Sequence, residues 1–276
     1  MTEAIRKYNN LTQRIITGVL GAAAIITGVC MTEWAYVVIF FIIGFFTLRE
    51  FYKLVSADNI IPESFFGLLT GVVIFLLSFF IARGDIRPAF FFLLFPLLAT
   101  VFITKLYSAN DKKPFANIAF TFLGLLYVMV PVSLMNFAAY KSGGYNFEIV
   151  LGTLLILWST DTGAYFAGTY LGKTKLFPRV SPKKTWEGFA GGALLALIFA
   201  YGLSRYCHTL SVFDWFAIAA IIIVCGTFGD LVESLLKRSI AIKDSGTVLP
   251  GHGGFLDRFD GLLLALPFLV AYLLIF

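Results

Sequence analysis

Nine apolar runs divide the 276-residue chain, at 15–32, 34–48, 65–82, 88–104, 116–139, 147–171, 188–204, 213–236 and 261–276. A helix that crosses a bilayer needs about 20 mostly apolar residues, within a range of about 17 to 25. The second run is short, and only Thr32–Glu33 joins it to the first. Those two could instead form a re-entrant pair, which would leave the parity of the count unchanged. All nine read as helices, because hydrocarbon offers open backbone groups no partners and the runs are too long for barrel strands. The expected fold is an all-α, polytopic transmembrane helical bundle with its N-terminus in the cytoplasm.

Composition excludes an ordinary soluble domain. The chain is 59% hydrophobic and 13% charged, where soluble domains are about half apolar and about one quarter charged. Arg6, Lys7 and Arg14 precede the run from Ile15 to Met31. No small-x-small cleavage site follows it, and Val29 before Cys30 does not suit a lipoprotein signal, so we expect an uncleaved first span. Cys30, Cys207 and Cys225 have neither metal-ligand nor disulfide-framework spacing. No internal repeat, low-complexity segment or soluble domain is evident.

Charge position tests the span count. With the N-terminus inside, the segments 1–14, 49–64, 105–115, 172–187 and 237–260 hold 17 of the 21 Lys and Arg residues, and the outer segments hold Arg83, Arg87, Lys141 and Arg205. A wrong count would scramble this asymmetry. Loops 172–187 and 237–260 carry nine of the 17 inside charges, with Gly, Pro and Ser at turn positions. We therefore expect residues 1–140 to supply N-terminal transmembrane helices, and residues 141–276 a catalytic region with those two loops on the cytoplasmic face.

Three stretches carry chemistry. Asp161 lies in the middle of the sixth run, and Asp230 and Glu233 lie late in the eighth. Intramembrane carboxylates cost about 2.5–3.5 kcal/mol on insertion scales and are normally turned inward and used. Asp161, Tyr165, Gly168 and Gly172 share a helical face, where the glycines suit close helix packing. Asp230, Glu233, Ser234 and Lys237 share another, an acid stripe that ends in a base. Next, Ser181, Lys183, Lys184 and Thr185 precede the seventh run, where ammonium, hydroxyl and helix N-terminal N–H groups can hold phosphate oxygens, with Glu187 favouring the helix start. Last, residues 234–260 gather four glycines with Lys237, Arg238, Lys243, His252 and Arg258, and with Asp257 and Asp260 three apart. On a helix those two carboxylates share a face and can hold one divalent cation, for which oxygen-only ligands suit Mg²⁺. Acids, bases and glycines together point to phosphoryl-type chemistry.

The run S-x-L-K-R-x4-K-D-x-G-x2-L-P-x-H-G-G-x2-D-R-x-D from Ser234 to Asp260 resembles the signature of the phosphatidate cytidylyltransferases. The upstream S-P-K-K-T-x-E-G and D-x-x-A-Y-x-x-G-x-x-x-G runs are similar to the same family. The motif-bearing match covers about residues 155–262. The resemblance implies transfer of the cytidylyl group of CTP to phosphatidic acid, giving CDP-diacylglycerol and pyrophosphate. It implies Mg²⁺ on Asp230, Asp257 and Asp260, with a second cation as an option. Ser181, Lys183, Lys184 and Thr185 would then hold CTP. Lys237, Arg238, Lys243, His252 and Arg258 would hold the lipid phosphate or the developing charge, with Asp161 and Glu233 shaping the site. The implied setting is the bacterial cytoplasmic membrane with the site facing the cytoplasm. A homodimer is suggested, and no nucleic acid is involved. The alternatives are a CTP-dependent polyprenol or phytol kinase-like enzyme, which would move the γ-phosphoryl group, and an anion transporter, which predicts inverted repeats.

Overall fold

A computed structural model describes residues 10–58, 60–240, 242 and 253–276, with side chains from Thr17 onward. Among them, eight helices are long and apolar enough to cross a membrane: α2 (Glu33–Asp58), α3 (Ser64–Arg83), α4 (Pro88–Leu106), α5 (Pro114–Ala139), α6 (Phe147–Leu171), α7 (Trp186–Tyr206), α8 (Val212–Ser239) and α9 (Leu256–Ile275). They are preceded by α1 (Asn10–Met31), whose apolar part Thr17–Met31 is shorter. The chain is thus a polytopic, all-α integral membrane protein. The helices divide into two compact units, Met1–Ile81 with Ile86–Val130 and Ile242–Arg258, and Ala82–Asp85 with Pro131–Ala241 and Phe259–Phe276.

In the first unit Thr32 separates α1 from α2. Its extended backbone breaks the helix, and its hydroxyl accepts the Ala35 N–H at 3.1 Å, capping α2. The second span is not short. It continues about ten residues past Leu48, because Leu48, Phe51, Tyr52, Leu54 and Val55 keep an apolar face that is buried throughout. Arg49, Glu50 and Lys53 interrupt the apolar run in the sequence, yet only Arg49 and Lys53 are exposed. Tyr52 packs where Gly67 and Gly124 leave room, since a Cβ at either would fall within 2.5 Å of its ring or hydroxyl. Its hydroxyl donates to the Thr121 carbonyl at 2.8 Å.

Two connections of this unit are latched together. Buried Lys105 pairs with Asp111 at 2.8 Å and Glu63 at 3.0 Å, and donates to the Ile61 carbonyl at 3.0 Å. Asn117 donates to both Asp111 carboxylate oxygens at 2.8 Å and accepts the Ile61 N–H at 2.8 Å. The Lys105 ammonium, the Asn117 amide and the Lys113 N–H hold the Asp111 carboxyl down to about 2. The α2–α3 and α4–α5 connections therefore meet, which two connections separated by two spans can do because both return to the same side.

In the second unit α6 and α7 form a close antiparallel pair. A Cβ at Gly163 would lie 2.5 Å from the Gly191 carbonyl oxygen, and one at Gly192 would lie 2.6 Å from that of Thr160. No larger residue fits this seam without moving a helix. Fully buried Trp215 of α8 fills the space beside Gly152. At one end of the unit Thr209 joins Asn146 and Glu148, while Tyr272 donates to Asp214 at 2.7 Å and Lys141 reaches the Leu273 carbonyl.

Between α6 and α7 runs a feature that the helical reading of the sequence did not contain, an antiparallel hairpin of β1 (Lys175–Phe177) and β2 (Ser181–Thr185). Pro178 stands at the second position of its turn, which closes with the Val180 N–H on the Phe177 carbonyl at 3.2 Å. In a two-stranded hairpin both strands are edges, so Pro182 is tolerated in β2. Short charged strands of this kind show no apolar alternation, and the sequence accordingly reads there as loop.

Candidate active site

The hairpin separates two adjacent lysines. Successive strand residues face opposite ways. Lys184 turns onto Asp230 of α8, with its ammonium 2.5 Å from Oδ2, while Lys183 is exposed. Thr185 caps α7 by accepting the Gly188 N–H at 3.1 Å, and only 5% of it is exposed. Its hydroxyl serves the helix start that the sequence leads one to expect there. Glu187 does something further: its carboxylate accepts the N–H groups of Lys173 and Thr174 at 3.1 Å, tying the exit of α6 to the first turn of α7. Ser181 is half-buried at the start of β2.

Asp230 and Glu233 lie on one face of α8, with Lys237 one turn on. Ser234 donates to Asp230 at 3.3 Å, and Lys237 pairs with Glu233 at 2.5 Å. The stripe is therefore a set of contacts as well as a spacing. Asp260 of α9 joins it. One oxygen from each of Asp230, Glu233 and Asp260 lies within 4.8 Å of the others. Glycines bring the two helices this close. A Cβ at Gly229 would fall 2.5 Å from the Asp260 carbonyl oxygen and 2.9 Å from the Gly261 Cα. Asp161 and Lys184 are within electrostatic reach of Asp260. With Asp161 counted, four carboxylates against two ammonium groups leave two formal negative charges, and every candidate ligand atom is a hard oxygen, a set that fits Mg²⁺.

Glu233 stands inside this carboxylate group, where the sequence assigned it a shaping role. Its side chain is fully buried, and its i, i+3 relation to Asp230 was the available signal. Asp257 belongs to the other compact unit, where its Oδ2 accepts the Gly254 N–H at 3.0 Å. The preceding Gly253 has a φ of 79°, and a Cβ there would lie 2.5 Å from the same oxygen. Only glycine meets both conditions. Arg238 and Arg258 are exposed. Lys243 and His252 lie outside the described residues.

Within the first unit the segment before α9 is anchored on α2. The Phe255 N–H donates to the Glu50 carboxylate at 2.7 Å, and the Phe255 ring stacks on Phe46 with centroids 5.6 Å apart. The sequence did not single out Glu50.

Carboxylates with ammonium partners, one of them fully buried, on bilayer-length helices define an integral membrane protein with a charged site within its helices. The cytidylyltransferase family model matches residues 12–276. The phosphatidate cytidylyltransferase of Bacillus subtilis (strain 168) is 35% identical over 274 residues, spanning 97% of this chain and 99% of that protein. That of Staphylococcus haemolyticus (strain JCSC1435) is 40% identical over 174 residues, 63% of this chain and 66% of that protein. The chain belongs to the cytidylyltransferase family.

Proposed function

We propose that the protein transfers the cytidylyl group of CTP to phosphatidic acid, forming CDP-diacylglycerol and pyrophosphate. The observation that carries this is the group of Asp230, Glu233 and Asp260 with Lys184 and Lys237 paired to it, of which Lys237 and Asp260 belong to the signature run and Lys184 to the similar run upstream. The lipid phosphate oxygen forms a bond to the α-phosphorus of CTP, and the bond from that phosphorus to the bridging oxygen breaks. A phosphate monoester is already anionic near neutral pH, so the step needs no strong base and rests on positioning and charge neutralisation. Mg²⁺ held by Asp230, Glu233 and Asp260 would supply charge stabilisation for the triphosphate and its leaving group. The assignment of Asp257 to the same ion rests on the signature and on its three-residue spacing from Asp260 in the first turns of α9. Lys184, released from Asp230, can follow the nucleotide phosphates, and Lys237 can neutralise an anion beside Glu233.

The separation of the two lysines gives a test. Lys184→Gln should lower kcat/KM for CTP by at least an order of magnitude, because it removes a charge from the acid group itself. Lys183→Gln should do less. Equal effects in steady-state kinetics would assign both lysines to the substrate. For the reaction as a whole, the purified protein should release one pyrophosphate per CTP consumed, and only with phosphatidate present. Formation of CDP would favour the kinase-like alternative.

The site is proposed to face the cytoplasm of a bacterial cell from its cytoplasmic membrane, supported by the charge asymmetry of the connections. Helix α6 alone separates Gly144 from Lys175. With Cys30, Cys207 and Cys225 replaced, Gly144→Cys should react with an impermeant thiol reagent from outside and Lys175→Cys only after the membrane is opened. Gly144 has open space around its Cα, so the probe itself is tolerated. Labelling of both from one side would contradict the topology.

A further inference from the structure

We propose that Glu50 is a positioning residue for the reaction, holding Phe255 and with it the glycine turn and Asp257 that open α9. The proposal rests on the activity proposed above. Glu50 lies on α2 and is 5% exposed, among the buried residues Thr47, Leu48, Phe51, Leu54 and Val55. A carboxylate is a costly side chain to bury in a membrane helix, and such residues are kept for a use. Its Oε2 accepts the Phe255 N–H at 2.7 Å across 205 residues of sequence. Phe46, one turn earlier on α2, stacks on the Phe255 ring at an interplanar angle of 20°. The same residue is thus gripped by its backbone and by its ring from positions i and i+4 of one helix. Phe255 stands two residues before Asp257 and one before the first residue of α9. It follows directly on the Gly253–Gly254 turn that cradles the Asp257 carboxylate. A glycine turn has little stiffness of its own. An external acceptor at Phe255 supplies it.

A positioning role differs from a merely structural one in what it moves. Glu50→Leu keeps the volume and the burial and removes the acceptor. Its kcat should fall between about 10- and 100-fold, the scale of a displacement near one ångström. Its thermal unfolding temperature in detergent should fall by only a few degrees, because the buried leucine offsets part of the lost hydrogen bond. Glu50→Gln keeps an acceptor oxygen and should recover most of the lost kcat. Phe46→Leu loosens the other grip and should lower kcat by a smaller factor, and its effect should be less than additive with Glu50→Leu. Wild-type protein is assayed beside each variant, so an inactive wild type would count against the reaction and not against Glu50. Wild-type kcat in Glu50→Leu would overturn the proposal. So would a Glu50→Gln as inactive as Glu50→Leu, which would mean that charge matters and not the acceptor. Should Glu50→Leu fail to fold, an unchanged kcat in Phe46→Leu would overturn it.

Discussion

Asp260→Asn is expected to lower kcat by at least about 100-fold while the protein remains inserted and folded. The substitution keeps the shape of the side chain and the acceptor for the Gly261 N–H, which lies 2.7 Å from Oδ1. What it removes is one of three carboxylates gathered within 4.8 Å. Charge arranged in advance around a transferring phosphoryl group is usually the largest single contribution to catalysis, and loss of one stabiliser costs about 10²–10³-fold. Glu233→Gln should have a comparable effect and should also remove the charge that pairs with Lys237 at 2.5 Å. Kinetics in mixed micelles over a range of Mg²⁺ concentrations would separate weakened metal binding from lost turnover. Near-normal turnover of either variant at ordinary Mg²⁺ would remove that residue from the metal's ligand set.

The second large effect is expected from a residue with no side chain. Gly229→Val should reduce activity by about 100-fold, because it forces apart the two backbones that bring Asp230 and Asp260 together. Its Cβ alone would meet the Asp260 carbonyl oxygen at 2.5 Å, and backbone cannot swing aside as a flexible side chain can. Displacement of about an ångström is enough for a loss of this size. Gly226→Ala, one turn earlier on α8, is the matched control. Its Cβ would find its nearest neighbour at 3.5 Å, an ordinary contact, so the variant should stay close to wild type. Circular dichroism and unfolding in detergent would show whether the valine variant keeps its helices. An active Gly229→Val would mean that the close approach of α8 and α9 does not set the site.

These residues show how far sequence reached. Eight of the nine expected runs were legible as bilayer-length helices because apolar length is imposed by the bilayer, whereas the first, Thr17–Met31, is shorter than such a helix. The Asp230, Glu233, Ser234 and Lys237 stripe was legible because a helix converts spacing directly into a face. Membership of Glu233 in the carboxylate group was not, since it depends on where α9 delivers Asp260. The extent of α2 was hidden by Arg49 and Lys53, which project outward from a helix whose other face stays apolar. The hairpin was hidden because its strands are short and charged. With it went the separation of Lys183 from Lys184, which needs a period of two where a loop implies none. Glu50 was invisible for a further reason: its partner is a backbone N–H 205 residues away, and a backbone group leaves no mark in a sequence.

The central claim is tested most directly by giving the purified protein CTP labelled on both the α- and γ-phosphates, in micelles of phosphatidate with Mg²⁺. The account predicts that the α-label enters the lipid phase as CDP-diacylglycerol and the γ-label leaves as pyrophosphate, in equal amounts, and that Asp260→Asn suppresses both together. Entry of the γ-label into lipid, with the α-label remaining in water as CDP, would contradict it.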